Sequence, residues 1–404
     1  MTVLGSAIGT LGVGAAGCGV TMHTFLLACA QVNNYFSNMT STTQLFPRSA
    51  SELTADWLTE ILTSSGAIAS GTHVTELRAQ RIAEGVGFAS FLYRVHLGLD
   101  GAGPATVIAK FPTDYPDYQL LASSIRLYER EVTFYNAVAT SAPVRTPRAH
   151  AAAFDAATGE FVIVMEDVDA LENADQVAGL SFDRARAVLA ETARFHAWGW
   201  DTTPPVTAHP AFLGLDDARM AGLFSAGTAA GWQVFAKHGR ACAPADLAAV
   251  IDDYAASAPS LLAALGTPTT LINGDLRADN LFFAEDGSHV TVDFQFTGRG
   301  CGMWDVAYLV GQGMSPTERD GRQTELVRHY LTTLAGLGID YPFDKAWRQF
   351  QIATVLQIAL PLAAMMSWDN VNDRGRELLQ VLMERSIAII ADCGAIPAVH
   401  ATLG

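Results

Sequence analysis

The chain has 404 residues, of which 50% are hydrophobic and 16% are charged. This length exceeds that of a typical single hydrophobic core, so two lobes or domains are expected. Its 25 basic and 41 acidic residues give a net charge of −16, which disfavours nucleic acid and anionic membrane surfaces as partners. The five cysteines are widely spaced and form no C-x-x-C pair. Neither a disulfide framework nor a zinc site is therefore predicted, and a cytoplasmic location is expected.

The first 47 residues contain no Asp, Glu, Lys or Arg, and Gly5–Gly19 is rich in Gly, Ala and Val. We interpret residues 1–50 as an uncharged Gly/Ala-rich extension outside the fold, with a true start at Met39 as one explanation. Membrane or export function is the alternative. A secretory signal would carry a basic segment before its apolar run, and repeated glycines lower helix propensity. No membrane partner is therefore expected.

From residue 51 onward the sequence alternates between helical and strand-like patterns. A helical pattern begins near Ser51, and Leu120–Val138 shows the same spacing. Strand-like runs lie between and after these segments, with β-branched or aromatic residues and some glycine breaks. They predict an antiparallel meander with one inserted helix. The runs are Val74–Ile82, Phe91–Leu97, Ala105–Phe111 and Phe161–Met165.

Helical patterns dominate from Ser181 to the C-terminus. One uncharged run, Gln351–Trp368, contains Pro361 and predicts a pair of buried helices rather than a membrane span. The change in pattern predicts an α+β protein in two lobes. The first is a β-rich lobe at residues 51–169, and the second is a mainly helical lobe at residues 170–404.

The densest group of chemically useful residues lies in the helical lobe. Asp275 and Asn280 are five residues apart in a loop between apolar runs, and Asp293 follows the next strand-like run. Phosphoryl transfer requires a carboxylate that accepts the proton of the attacking hydroxyl, and oxygen ligands that hold magnesium on the ATP phosphates. A plain turn explains the tripeptide Asn273-Gly274-Asp275 by itself. It does not explain the ordered recurrence of further parts upstream.

This segment resembles the catalytic loop and metal-binding aspartate of the aminoglycoside phosphotransferase-like kinases, and in detail their ecdysteroid kinase-like (CHK kinase-like) branch. The usual loop of that family is H-G-D-x-x-x-x-N, and Asn273 stands here in place of the histidine. By resemblance, Asp275 is the catalytic base, while Asn280 and Asp293 bind Mg²⁺. Arg277 lies where related kinases often place a cation near the transferring phosphate. The resemblance also implies the two-lobed protein-kinase-like fold.

Other parts of that fold follow in the order that the resemblance requires. Lys110 ends a strand-like run, as does the lysine that contacts ATP phosphates in kinases. Glu131, in a segment resembling the E-x-x-F-Y helix of the family, is expected to pair with Lys110, and Glu129 is the competing choice. A lysine that extends its ammonium from a strand end into solvent is the alternative.

Two further segments are interpreted as nucleotide contacts. Gly85, Gly87 and Ser90 form an imperfect glycine-rich loop, whose amides and hydroxyl would hold phosphates. An ordinary hairpin turn is the alternative. The strand end near Glu166 and Val168 resembles the family's hinge, whose backbone would bind adenine; a bare strand end is the alternative.

Two residues are interpreted as supporting the site, and a third departs from the sequence pattern of the family. His196 lies in a helical segment that resembles the family's L-H-x-x-W-like segment, and we interpret it as a packed structural histidine rather than a catalyst. Asp305 lies in a segment that resembles the family's G-x-x-D-x-A-Y motif, whose aspartate braces the catalytic loop there. Asn273 fills less space than the family's histidine, although its amide can still donate a hydrogen bond. A catalytically weak nucleotide-binding pseudokinase is therefore an alternative function.

The sequence thus predicts an ATP- and Mg²⁺-dependent phosphotransferase that acts on a hydroxyl group of a small molecule. A noncatalytic nucleotide-binding scaffold is the competing class, and a protein kinase is disfavoured because no A-P-E segment follows Asp293. The acceptor is left open. Net acidity suits a cationic aminoglycoside, and a choline-type kinase is a further alternative. Trp232, Phe235 and Ala359–Trp368 suit a hydrophobic steroid-like alcohol, which the resemblance favours.

Overall fold

The computed structural model describes residues 46–82, 90–202 and 205–404. Gly85 and Gly87, Met39, and all but residues 46–50 of the expected extension lie outside these ranges. Within them, a five-stranded sheet precedes a larger part built mainly of helices. The predicted fold class is confirmed.

The sheet contains five antiparallel strands. They are β1 (Val74–Ile82), β2 (Ser90–Leu99), β3 (Thr106–Pro112), β4 (Ala149–Phe154) and β5 (Phe161–Glu166). Their order across the sheet is β1-β2-β3-β5-β4, so the predicted meander is confirmed. The sequence did not predict β4, because this strand is rich in alanine, which is depleted in strands.

The single helix predicted over Leu120–Val138 is wrong. After α1 (Ala55–Ser64), which precedes the sheet, the structure has α2 (Pro116–Ser124), α3 (Leu127–Thr133) and a π-helical turn at Phe134–Val138. Arg126 lies between α2 and α3 with a φ of 59°. This left-handed backbone conformation interrupts an α-helix, and hydrophobic spacing alone does not reveal it.

The two faces of the sheet pack against different partners. Val107, Ala109 and Val164 are fully buried on the face that carries α1. Side chains alternate across a strand, so Ile108 and Lys110 of β3 point to the opposite face. Ile108 there joins the larger core, which continues into the helical part. The lysine is thereby directed between the sheet and the helices.

The helical part is a layered bundle. Its helices are α4 (Phe182–Trp198), α5 (Ala218–His238), α6 (Ala245–Asp252), α7 (Tyr254–Ala264), α8 (Met303–Gln312), α9 (Pro316–Arg319), α10 (Gln323–Gly336), α11 (Phe343–Leu356), α12 (Ala359–Met365), α13 (Asp373–Asp392) and α14 (Ala395–Leu403). The uncharged run at residues 351–368 spans α11 and α12, as the predicted helix pair. Pro361 lies in the first turn of α12, where its missing N–H interrupts no helical hydrogen bond.

Short strands in the helical part hold the loops that carry the predicted site. They are β6 (Glu172–Asn173), β7 (Thr270–Ile272), β8 (Leu281–Phe283), β9 (His289–Thr291) and β10 (Gly298–Gly300). β7 pairs with β10, and β8 pairs with both β6 and β9. The loop between β7 and β8 therefore carries residues 273–280, and Asp293 follows β9.

In the described ranges, no single helix has the length and apolar composition needed to cross a membrane; only α13 and α14 taken together, bent by 73°, meet that test.

Candidate active site

Lys110 is the point where the sheet meets the predicted metal loop. Its side chain is buried, and its Nζ lies 2.7 Å from Glu131 Oε2 on α3. The same Nζ lies 3.2 Å from Asp293 Oδ1. Glu129, the competing partner, is bound instead by Arg126 at 2.7 Å. The structure therefore joins a residue of the sheet, one of the inserted helix and one of the helical part.

The charges of this trio are strongly coupled. Burial alone would lower the pKa of Lys110, but the charges of Asp293 and Glu131 outweigh it and raise that pKa above its ordinary value. Burial raises the pKa of Glu131, and the adjacent ammonium opposes the rise. Asp293, whose side chain is 23% exposed, is the member of the trio that a further cation could reach.

The loop after β7 is fixed by a buried carboxylate. Asp305, on α8, accepts the backbone N–H groups of Asn273 at 2.7 Å and Gly274 at 2.9 Å. Gly274 has a φ of 87°, and a Cβ there would lie 2.4 Å from the carbonyl oxygen of Phe296. Only glycine fits this position. The two bonds and the close approach fix the direction of Asp275.

The carboxylate of Asp305 is in turn held in place by a histidine. His196 on α4 is fully buried, with Nε2 3.1 Å from Asp305 Oδ2 and Nδ1 2.8 Å from the Tyr330 hydroxyl. The Trp304 indole donates to the carbonyl oxygen of Gly274 at 3.3 Å. His196 is therefore a packed, hydrogen-bonded residue, as the sequence predicts. Asp305 makes the bracing contacts expected of its motif.

Asp275 is a largely buried carboxylate whose side chain is 13% exposed. Burial raises its pKa to about 6, and the charge of Asp293 adds to the rise. Arg277, whose Nε lies 3.4 Å from Asp275 Oδ2, opposes it. The carboxylate is consequently charged at neutral pH but more basic than an exposed aspartate. That combination suits a proton acceptor.

The two predicted metal ligands differ in how their oxygen atoms are used, since both carboxylate oxygens of Asp293 have a neighbouring donor and still carry further lone pairs. The Asn280 amide nitrogen donates to the backbone oxygen of Asp275 at 2.8 Å and to its carboxylate at 3.2 Å, which leaves Asn280 Oδ1 for another partner. Asp293 has a φ of 63°, and Gln295 donates to its Oδ2 at 3.2 Å. Strained backbone of this kind clusters at functional sites.

Magnesium is commonly held by one or two carboxylates together with phosphate oxygens and water. In the described part of the chain, no group of three or more His, Cys, Asp or Glu side chains forms a cluster that could hold a metal. Asn280 and Asp293 fit a metal that arrives with a phosphate ligand. They do not form a closed structural site.

Only some of the residues predicted to contact the nucleotide lie in the described ranges. Ser90 begins β2 and pairs with Pro112 at the end of β3, while Gly85 and Gly87 lie outside the described residues. Glu166 is exposed at the end of β5 and accepts the N–H of Arg148 at 3.2 Å. Val168 is buried just beyond it.

A comparison with family models identifies the chain. The model of the ecdysteroid kinase-like family matches residues 84–338, well over half of the sequence. The chain belongs to the ecdysteroid kinase-like family. Its members are kinase-like small-molecule phosphotransferases, so the predicted family and enzyme class are confirmed. A comparison with curated proteins found no significant match.

One solved structure agrees with this assignment at the level of the fold. A proposed aminoglycoside phosphotransferase from Ralstonia eutropha JMP134 aligns with a TM-score of 0.50 and 12% identity, covering 86% of this chain and 99% of its own. An ethanolamine kinase from Plasmodium vivax aligns with a TM-score of 0.48 and 13% identity, covering 81% of this chain and 87% of its own. The first of these supports the protein-kinase-like fold.

One supporting residue of the site in this ecdysteroid kinase-like chain, Gln176, was not predicted from the sequence. Gln176 is buried; its Oε1 accepts the N–H of Ala278 at 2.7 Å, and its own N–H donates to Asp279 Oδ1 at 2.8 Å. Arg385 of α13 donates to the Gln176 carbonyl at 2.6 Å. Gln176 thus holds the turn that ends at Asn280. No local pattern marks it, because its partners are 102 residues or more away.

Asn273 occupies its position with incomplete hydrogen bonding. Its Oδ1 accepts the N–H of Asp275 at 3.0 Å, but its buried Nδ2 has no partner among the described residues. A cavity of about 20 Å³, lined in part by Glu191 and His289, borders the same side chain. That is room for one water molecule. The asparagine therefore keeps the loop contact, with unfilled space beside it.

Proposed function

We propose that this chain transfers the γ-phosphoryl group of ATP to a hydroxyl group of a small apolar molecule, with the help of Mg²⁺. The main support for this proposal is the 3.2 Å contact between Lys110 Nζ and Asp293 Oδ1. It joins the sheet to the segment after β9, where the N–H of Val292 donates to the carbonyl oxygen of Asn280 at 2.9 Å and so places Asp293 beside the loop of Asp275 and Asn280. Phosphoryl transfer is catalysed mainly by positioning and charge, which this arrangement supplies.

Asp275 is the proposed proton acceptor. Its pKa of about 6 leaves it ionised at neutral pH, and its carboxylate is oriented by the amide of Asn280. It would bind the attacking hydroxyl and take its proton as the new P–O bond forms. Arg277 is 3.4 Å from the same carboxylate and would offset charge on the transferring phosphate.

Nucleotide and metal would bind between the two lobes. Asn280 Oδ1 and the Asp293 carboxylate would hold Mg²⁺, which offsets the charge that develops on the phosphates. Lys110, oriented by Glu131, would contact the phosphates, and Gly85, Gly87 and Ser90 would donate to them. The backbone near Glu166 and Val168 would bind adenine. We place the lobe boundary at residues 169–170, just beyond that hinge.

The acceptor is proposed to be an apolar alcohol, such as a steroid-like molecule. A cavity of about 20 Å³ beside Gly274 is lined mainly by apolar side chains, among them Leu213, Phe224 and Leu360, and also by Arg130. Phe235, which the sequence places near the acceptor, is 4% exposed and packs in the core beside Trp232. The cavity is too small to hold a steroid ring, so it supports only an apolar environment beside the catalytic loop, to which α5 and α12 contribute.

The test is a product assay with MgATP and a panel of hydroxysteroids, aminoglycosides, choline and sugars, read by mass spectrometry. Asp275→Asn should abolish product while calorimetry shows unchanged nucleotide binding. Asp293→Asn should remove the magnesium dependence of that binding. Asp286→Asn, on an exposed turn, is the control and should match wild type in product formation and in nucleotide binding. Nucleotide binding without product on any acceptor would favour the scaffold class and contradict the kinase proposal.

A further inference from the structure

Arg130 is a buried guanidinium with unusually weak partners. The residue is 2% exposed and lies on α3, directly before Glu131. Its Nη1 lies 3.5 Å from the carbonyl oxygen of Phe296 and its Nη2 lies 3.4 Å from the sulfur of Met220. Its buried Nε has no partner within residues 46–82, 90–202 and 205–404. Arginine has five N–H donors and seeks planar oxygen acceptors. Its hydrogen-bonding capacity is therefore largely unused.

The nearest carboxylates are already paired with other arginines. Asp217 is bound by Arg219 at 2.8 Å and Glu129 by Arg126 at 2.7 Å. Among the residues that the structure describes, Arg130 makes no ion pair. Burial and the charge of Arg219 lower its pKa to about 9, so it is still charged at neutral pH. An unpaired buried charge is destabilising, so an anion bound beside Arg130 would relieve that cost.

Arg130 lines the cavity beside the catalytic loop. Gly274, the neighbour of Asp275, lines it as well, together with Met220 and Phe224 of α5. The cavity has a volume of about 20 Å³, which admits a group of the size of one water molecule. An oxygen atom fits it, whereas a ring does not.

We propose that Arg130 forms an anion-binding subsite for the acceptor, so that the preferred acceptor is an apolar alcohol carrying a carboxylate-type oxygen. The inference rests on the proposed kinase function and narrows its substrate class. Arginine binds carboxylates through charge-assisted, often bidentate hydrogen bonds. The same buried cation repels ammonium groups, so polycationic aminoglycosides and choline are disfavoured despite the net charge of −16.

The experiment compares hydroxy acids with their methyl esters. We would use ω-hydroxyalkanoic acids of increasing chain length and a hydroxysteroid acid, each with its ester, and measure kcat/KM with MgATP. Wild-type protein should prefer at least one acid over its ester by about tenfold or more, mainly through KM, because truncating a buried charge pair is costly. Equal values for every acid and ester pair would overturn the subsite.

Arg130→Met is the decisive variant, because it keeps an unbranched apolar stem and removes the charge and all N–H donors of the side chain. The preference for acid over ester should disappear in this variant, and its melting temperature should equal or exceed that of wild type. Arg219→Gln, a neighbour already paired with Asp217, should keep the preference. Persistence of the preference in Arg130→Met, or a large loss of its stability, would show that Arg130 is structural.

Acid binding measured by calorimetry, without turnover, separates this inference from the kinase proposal. Binding of acids that depends on Arg130, without phosphorylated product, would support the subsite and contradict the kinase function. Phosphorylation of neutral alcohols, unaffected by Arg130→Met and without preference for acids, would support the kinase function and overturn the subsite.

Discussion

Replacing Asp275 by asparagine should make the protein inactive but more stable. Burial raises the pKa of Asp275 from 3.8 to about 6, so the ionised form is disfavoured in the folded state. One pKa unit corresponds to about 1.4 kcal/mol, so ionisation of Asp275 destabilises the fold by about 3 kcal/mol at neutral pH. Asparagine keeps the shape and an acceptor oxygen. It removes the desolvated charge together with its ion pair to Arg277, and the pKa of Asp275 already includes the opposing effect of Arg277.

Because the pKa of Asp275 is higher in the folded state than in the unfolded state, the stability difference develops between the two pKa values. Well below pH 3.8 Asp275 is protonated in both the folded and unfolded states, so the free energies of unfolding of wild type and Asp275→Asn should converge there. Between pH 3.8 and about 6 the unfolded state ionises first, and wild type loses stability relative to the variant. Above pH 6 the difference should be constant.

Urea unfolding at pH 3.5 and pH 7.5 measures this difference directly. Asp286→Asn provides a control of opposite sign, because hydrogen bonds from Ser288 lower the pKa of Asp286. That variant should lose stability at pH 7.5 and none well below the ordinary pKa of aspartate. A stability difference for Asp275→Asn that does not change between the two pH values would refute the reasoning about its buried charge.

Three further changes test the supporting contacts. Asp305→Ala leaves two buried N–H groups without an acceptor and should reduce the free energy of urea unfolding by about 3 to 5 kcal/mol; a loss under 1 kcal/mol would contradict the brace. Glu131→Gln frees Lys110 and should lower kcat by about 100-fold while the protein stays folded, and unchanged kinetics would exclude the pairing from catalysis. Gln176→Ala should weaken Mg²⁺ activation by about tenfold, whereas an unchanged magnesium titration would show that the Asn280 turn holds itself.

Features that depend on local pattern could be predicted from the sequence. The strands β1, β2, β3 and β5 show β-branched content and short apolar runs, and the spacing between Asp275 and Asn280 is itself a local signal. The break at Arg126 could not be predicted, because a single left-handed residue leaves the hydrophobic spacing intact. The alanine-rich strand β4 was missed for a similar reason, since its pairing with β5 outweighs its weak propensity.

Features that depend on distant contacts could not be predicted without the fold. Gln176 and Arg385 are ordinary polar residues in the sequence, and only their burial against the Asn280 turn gives them a role. In the sequence, Arg130 looks like an ordinary charged residue of a helix, next to Glu131, whose predicted partner is Lys110. Its unpaired burial follows from the packing of α3 against Met220 and Phe296, which sequence spacing does not encode.

The most direct test of the central claim is a crystal structure with Mg²⁺ and a nonhydrolysable ATP analogue. We expect a metal about 2.1 Å from Asn280 Oδ1 and from an oxygen of Asp293, with the ammonium of Lys110 on the phosphates and the γ-phosphate facing Asp275. A nucleotide bound away from Lys110, or a metal that contacts neither Asn280 nor Asp293, would contradict the account.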